Sequence, residues 1–166
     1  MPDGSVYLIT ESSAQTGGEW VEMEFILPTH CVPPPPHIHP QQVEEYEVLE
    51  GSFDVMVDGD WRTLGCGESL AVPFGTVHTF RNRSGREVRV RNRHRPALRF
   101  EEYIQRVQST LAAGGVTRRR DPRALFYLSM LLQEYPDTLV PGPRHAPVIR
   151  ILARVGHLLG LHTAPR

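Results

Sequence analysis

Lysine is absent from this 166-residue chain, and all eighteen basic residues are Arg. No element of a fold requires a guanidinium at every basic position, so the absence reads as coding bias. Cysteine is almost absent too. Cys31 and Cys66 make neither a CxxC pair nor a spaced framework, so their number does not argue for an oxidising compartment. No apolar run approaches the ~20 residues needed to cross a bilayer. Met1-Pro2-Asp3-Gly4-Ser5 lacks the basic and apolar segments of a secretory signal, and the expected location is cytoplasmic. A surplus of charge is missing as well. The net charge of −1 gives no general pull toward nucleic acid or an anionic membrane, so neither is an expected partner. The balance is uneven: residues 1–100 hold nine Arg against fourteen acids, and residues 101–166 hold nine Arg against five.

The first hundred residues carry period-2 patterns. Val21, Met23, Phe25 and Leu27 alternate with Glu22, Glu24 and Ile26, which predicts a strand with one buried face. Phe53, Val55 and Val57 repeat the pattern, and Asp58-Gly59-Asp60 supplies a hairpin turn. Val88 and Val90 alternate with Arg89, Arg91, Arg93 and Arg95. Short strands at close spacing argue for a sandwich or barrel. Pro33 to Pro36 cannot donate to a ladder, so a strand begins only after them.

After Arg99 the period becomes helical. Phe100, Tyr103, Ile104, Val107 and Leu111 share one face, and Gly114-Gly115 ends the helix. Asp121-Pro122 predicts a cap with proline at the first helical position, followed by Leu125, Leu128, Leu131 and Leu132. A third helix is predicted after Ala146-Pro147, with Val148, Ile151, Leu152, Val155, Leu158 and Leu159 on one face and Arg150, Arg154 and His157 on one side. A basic amphipathic helix can lie on a membrane or a partner, but the apolar face is expected to pack on the barrel or another helix. The cluster Arg118, Arg119 and Arg120 is expected to be solvated. The division reads as a β-barrel over 1–98 and a helical extension over 99–166.

Chemistry concentrates in two stretches. His37 and His39 are two apart, so in an extended strand both imidazoles face one side. Glu44 follows a break in phase at Pro40-Gln41-Gln42 that can return its carboxylate inward. Gly51 and Gly67 suit turns with positive φ, and Pro73-Phe74-Gly75 reads as a turn delivering His78 into the next strand, with Asn82 beyond it. Three imidazoles and one carboxylate suit borderline divalent metals such as Mn, Fe, Ni or Zn.

With these residues and spacings the chain resembles the cupin superfamily. Both cupin motifs match in order and offset, except that Cys31 stands where the first motif usually opens with Gly. The resemblance implies an all-β fold, a cupin-type antiparallel β-barrel (double-stranded β-helix or jelly roll), here with a C-terminal extension of about three helices. It implies that His37, His39, Glu44 and His78 ligate one divalent transition metal inside the barrel. It also implies that Gly51, Gly67, Pro73, Gly75 and Asn82 are structural, and that a small organic ligand or substrate is bound. Cupins include dioxygenases, isomerases and sensing modules, and fold does not select among them. A metal-dependent dioxygenase or isomerase and a non-catalytic small-molecule binding or sensing module both stand. Barrels of this superfamily often pair, which makes a homodimer the expected assembly; the extension then covers one barrel end or supports the dimer.

Other candidates have ordinary readings beside sharper ones. Tyr46 and Phe80 share phase with Glu44 and His78 and are expected to line the pocket or pack the core. His94 shares the phase of Val88 and Val90 and is expected to face inward, either in a satisfied hydrogen bond at the rim or in support of the site. The row of Arg89, Arg91, Arg93 and Arg95 is expected on a solvated outer face, paired with Glu22, Glu24, Glu45 or Glu47.

Overall fold

The computed structural model describes residues 1–29, 31–118 and 120–165, so Arg119 of the arginine cluster lies outside the described residues. Before Pro96 the strands are β1 (Val6–Glu11), β2 (Val21–Leu27), β3 (His37–Ile38), β4 (Val43–Glu50), β5 (Ser52–Val57), β6 (Asp60–Gly65), β7 (Ser69–Val72), β8 (His78–Arg81) and β9 (Val88–Arg95). A short strand, β10 (Val140–Pro141), returns from the helical region. Among the described residues they form two five-stranded sheets, in the orders β1-β2-β9-β4-β7 and β10-β3-β8-β5-β6, with antiparallel pairings throughout.

Alternation decides which side of each strand is dry. Val21, Met23, Phe25 and Leu27 of β2 point inward and are buried, as are Phe53 and Val55 of β5. Val57 continues that phase only half-buried, while Met56 is buried. Aromatic rings close the gap between sheets: Phe25 lies 5.8 Å from Phe80, and Phe53 lies 5.4 Å from Tyr46 and 5.3 Å from Phe80. Full burial of each such side chain contributes roughly 1.5–3 kcal/mol. On the outer face the predicted ladder forms: Arg89 pairs with Glu24 and Glu50, Arg91 with Glu47, and Arg93 with Glu22. Exposed pairs of this kind contribute at most about 1 kcal/mol each. The row is a solvated face.

Two tight turns depend on glycine. The β5–β6 hairpin closes through Asp58 (φ +49°) and Gly59 (φ +99°), the double positive φ that a two-residue turn of right-handed twist requires. At Gly51 (φ +85°), between β4 and β5, a Cβ would also stand 3.0 Å from a Val88 methyl. Geometry and space both exclude a side chain there.

The helices follow the predicted order: α1 (Phe100–Ala113), α2 (Arg123–Leu132) and α3 (Ala146–Leu158). Gly114 and Gly115 end α1. The Asp121 carboxylate accepts from the Arg123 backbone N–H at 2.9 Å, the contact of a capping residue, and regular helix runs from Arg123. Phe100, Tyr103, Ile104, Val107 and Leu111 join the same apolar core as the barrel. Buried Arg106 anchors the chain end, donating to Glu134, the Thr163 hydroxyl and the Ala164 carbonyl. Among the described residues no helix is long and apolar enough to cross a membrane.

The third helix differs from expectation. Its packed side is made of Ile149, Ala153 and Gly156, and a Cβ on Gly156 would reach the Met130 sulfur at 2.7 Å. The close approach of α3 to α2 therefore uses small residues. Val148, Ile151, Leu158 and Leu159, expected to be packed, face outward.

Asn82 is buried where β8 gives way to the turn before β9. Its amide donates to the carbonyls of Leu27 (2.9 Å) and Arg86 (2.7 Å), and its oxygen accepts from the Ser84 backbone and hydroxyl. Asn82→Ala strands the buried Leu27 carbonyl, while the Arg86 carbonyl keeps the Ser84 hydroxyl, and should cost about 1–3 kcal/mol. Urea denaturation measures the loss; an unchanged midpoint would show that the bridge is dispensable.

Candidate metal centre

His37 and His39 reach the barrel interior because the chain before them contributes only acceptors. The proline run has no N–H to pair, but each of its last three carbonyls is used. Pro34 accepts from the Thr79 hydroxyl at 2.6 Å, Pro35 meets His37 Nδ1 at 3.0 Å, and Pro36 accepts from the Gly142 N–H at 2.8 Å. The run is a rack of fixed carbonyls, a role its composition alone did not disclose. After His39 the bend at Pro40-Gln41 is tied down by buried Gln42, whose amide donates to the Pro96 and Ala97 carbonyls, both at 2.9 Å. That tie resets the phase, and β4 starts with Glu44 facing inward and Glu45 outward, toward Arg93 at 3.9 Å. In the ladders, His37 sits opposite His78, and Glu44 opposite His94 and Val72.

Each of the four predicted ligands offers one donor atom, and the four donor atoms lie within 4.8 Å of one another, all in buried residues. The ring orientations share one cause. His37 Nδ1 faces the Pro35 carbonyl at 3.0 Å, His39 Nδ1 the Thr138 carbonyl at 2.7 Å, and His78 Nδ1 the Thr76 carbonyl at 2.9 Å. A carbonyl only accepts, so each Nδ1 carries a proton, and in the neutral ring each Nε2 keeps a lone pair. That is the tautomer a metal-binding imidazole needs. Among the described residues, the Nε2 atoms of His39 and His78 and Oε2 of Glu44 are buried without a hydrogen-bond partner. Glu44 Oε2 stands 2.6 Å from His78 Nε2 and 3.4 Å from His39 Nε2. At 2.6 Å the first pair is a close charge contact. Buried polar atoms are rarely left this way; a cation at their common focus would satisfy all three. The cluster can hold a metal.

The other carboxylate oxygen is committed elsewhere. Glu44 Oε1 accepts from the Asn92 amide at 2.8 Å, and Asn92 Oδ1 meets His94 Nε2 at 2.9 Å. Asn92 had no sequence signal except its phase with Val88 and Val90. His94 is fully buried, stacked 3.5 Å from the Phe100 ring of α1, with its Nδ1 unpartnered. Its Nε2 also stands 3.4 Å from Glu44 Oε1. Tyr46 and Phe80 also face the interior and are buried. Thr138 precedes β10 and Phe100 opens α1, so chain after β9 contacts two of the inner histidines, His39 and His94. Nothing in the sequence marked Thr138, which acts through its backbone.

Two surface hollows lie away from the four donors. One of about 230 Å³ lies over Glu45, Glu47, Arg91 and Arg93. The other, about 420 Å³, lies beside β10, between Pro36, Val77 and Gly142.

Charge within the cluster is tightly shared. Burial opposes ionisation of Glu44, yet the imidazoles of His94, His78 and His39 outweigh it and hold the carboxyl well below its usual range. Burial likewise lowers His78, but Glu44 wins and raises it. Burial, with His78 and His39 beside it, keeps His37 well below the ordinary value. For His94 burial dominates over the pull of Glu44, pushing it down to about 4.

Residues 23–91 match the family model described as the cupin domain. A stretch of 40 residues is 40% identical to the HTH-type transcriptional regulator SutR of Escherichia coli (strain K12), covering 24% of this chain and 22% of that protein. The chain thus spans about a fifth of the length of the curated relative it matches. Among solved structures, the TT1209 protein from Thermus thermophilus superposes with a TM-score of 0.52 at 21% identity, over 58% of this chain and 88% of that one. KdgF from Halomonas sp. gives 0.51 at 18% identity, over 59% and 85%. Both establish a shared fold.

The low value of His94 gives a signed expectation. An unfolded histidine takes up its proton near about 6.5, whereas this folded ring does so only near about 4. Between those values the unfolded chain binds more protons, so stability falls as the pH drops through that window. In metal-free protein the urea midpoint should decline from about pH 6.5 toward 4, and His94→Gln should make the decline shallower. Identical slopes in both proteins would contradict the placement of a neutral, buried His94.

Proposed function

From the premise that this chain carries a cupin domain, we propose that its barrel holds one divalent transition metal through His37, His39, Glu44 and His78 and presents it to a small organic ligand. The observation that supports this most is the set of buried Nε2 and Oε2 atoms without partners, each aimed inward by a second contact on the far side of its own group. Four protein donors leave coordination positions open on a metal that prefers six. Bound there, the ion would act as a Lewis acid or redox centre for a ligand oxygen.

The protein's own contribution is orientation and exclusion of water. Pro35, Thr76 and Thr138 fix the ring tautomers, and Asn92 holds Oε1 so that Glu44 presents Oε2 alone. Phe25, Phe53, Phe80 and Tyr46 make the barrel beyond the site dry. This arrangement supports a metal-dependent dioxygenase or isomerase. The short match to a transcriptional regulator favours a second reading, a sensing module with the same site. Nucleic-acid contact does not follow from the helices described. Residues 114–122 separate α1 from α2, and residues 133–145, with β10 among them, separate α2 from α3. Neither is the 3–4-residue turn of a helix-turn-helix.

Elemental analysis of protein purified without added metal should find about one equivalent of a transition ion in wild type and almost none in the double variant His37→Ala/His78→Ala. Equal content in both would defeat the assignment. Because Glu44 raises His78, the metal-free site retains a proton that the ion must displace. Affinity should therefore rise with pH and binding should release protons, measurable by calorimetry in buffers of different ionisation enthalpy. Asn92→Ala should lower metal affinity about 10- to 100-fold while leaving the far-ultraviolet circular dichroism unchanged. Oxygen uptake with small diketones or phenols separates the two readings: turnover supports the enzyme, and saturable thermal stabilisation without product supports the sensor.

A further inference from the structure

The outward face of α3 lacks a covering element in the fold. Val148, Ile151, Leu158 and Leu159 are 57%, 59%, 86% and 63% exposed. At 3.6 residues per turn they fall on one arc about 120° wide, with half-buried Leu152 and Val155 inside it. The buried Ile149, Ala153 and Gly156 occupy the next arc, against α2. Exposed Arg150, Arg154 and His157 occupy the third, adjoining the apolar arc on its other side. The helix thus has three faces: one packed, one apolar and open, one basic and open.

Charge tells what can cover the open faces. Asp137 is the last acidic residue of the chain; residues 138–166 contain four Arg, three His and no Asp or Glu. Among the described residues neither Arg150 nor Arg154 has a carboxylate partner. A second copy docked α3 against α3 would bring like charges together with no acid from this segment to balance them. An anionic occupant meets no such repulsion. The apolar arc lies on a convex helix, not in a groove, so the occupant must also adapt to a protruding cylinder. A lipid surface does both: acyl chains take the apolar arc and anionic headgroups take the basic one.

We propose that α3 is an interfacial helix that docks the folded protein onto an anionic lipid bilayer, with Val148, Ile151, Leu158 and Leu159 in the headgroup–acyl boundary and Arg150 and Arg154 on the headgroups. The sequence expectation of no membrane contact rested on near-zero net charge and on an apolar face of α3 packed inside, and the structure turns that face outward.

The test is co-sedimentation of the full chain with phosphatidylcholine vesicles, with and without phosphatidylglycerol. Binding should require phosphatidylglycerol and weaken as salt rises. Each arginine at the surface is worth about a factor of five, so Arg150→Gln/Arg154→Gln should lower partitioning roughly thirtyfold. Ile151→Asn/Leu158→Asn should abolish it. All four positions are exposed, so the variants should keep the wild-type circular dichroism and melting temperature. No binding to phosphatidylglycerol vesicles would overturn the proposal. So would partitioning indifferent to these substitutions, or a dimer in light scattering that Ile151→Asn/Leu158→Asn dissolves.

Discussion

A carboxylate oxygen and imidazole nitrogens sit crowded in a dry barrel without a hydrogen-bond partner among the described residues. Leaving one buried polar group unpaired costs about 1–3 kcal/mol, and more when it is charged, so folding tolerates such a focus only if other interactions hold it. The architecture around the site is that support. Three backbone carbonyls accept from the Nδ1–H groups, the Asn92 amide donates to the spare carboxylate oxygen, and aromatic rings of both sheets exclude water from the remainder. The site's electrostatics follow from the same crowding. Glu44 stays ionised because imidazoles surround it, and His37 and His94 stay neutral because burial prevails over that carboxylate.

The helical region contributes to the site as well as to the core. β10 pairs with β3 directly beside His37, the Thr138 carbonyl two residues earlier orients His39, and Phe100 stacks on His94. Arg106 fastens Glu134 and the Thr163–Ala164 segment to α1, bracing the stretch from which Thr138 projects. Barrel and extension share one apolar core, so a disturbance of the helices reaches the histidines through few intermediates.

Much of this was legible in the sequence because it is periodic or locally spaced. The alternations in β2, β5 and β9 gave the dry face, the outer Arg–Glu ladder followed from the same phase, and the spacing from His37 to Asn82 located the cluster. What stayed hidden works through backbone atoms or distant chain. The carbonyls of Pro34, Pro35 and Pro36 leave no mark in side-chain chemistry, and neither does Thr138, ninety-nine residues from its partner. Asn92 is a polar residue in an apolar phase, a signal that becomes readable only once Glu44 is known to lie across the ladder. The orientation of α3 was misread for a different reason. Helical periodicity identifies an apolar face but not which side packs, and here the small residues Ala153 and Gly156 permitted the closer approach.

Three Nε2 atoms and one Oε2 converge on a single focus. X-ray absorption spectroscopy at the edge of the bound metal tests it directly. The account predicts a first shell of nitrogen and oxygen near about 2.0–2.2 Å, as for a zinc-like ion, with outer-shell scattering from three imidazoles that falls to two in His39→Ala. A shell containing sulfur, or an imidazole count unchanged by that substitution, would contradict it.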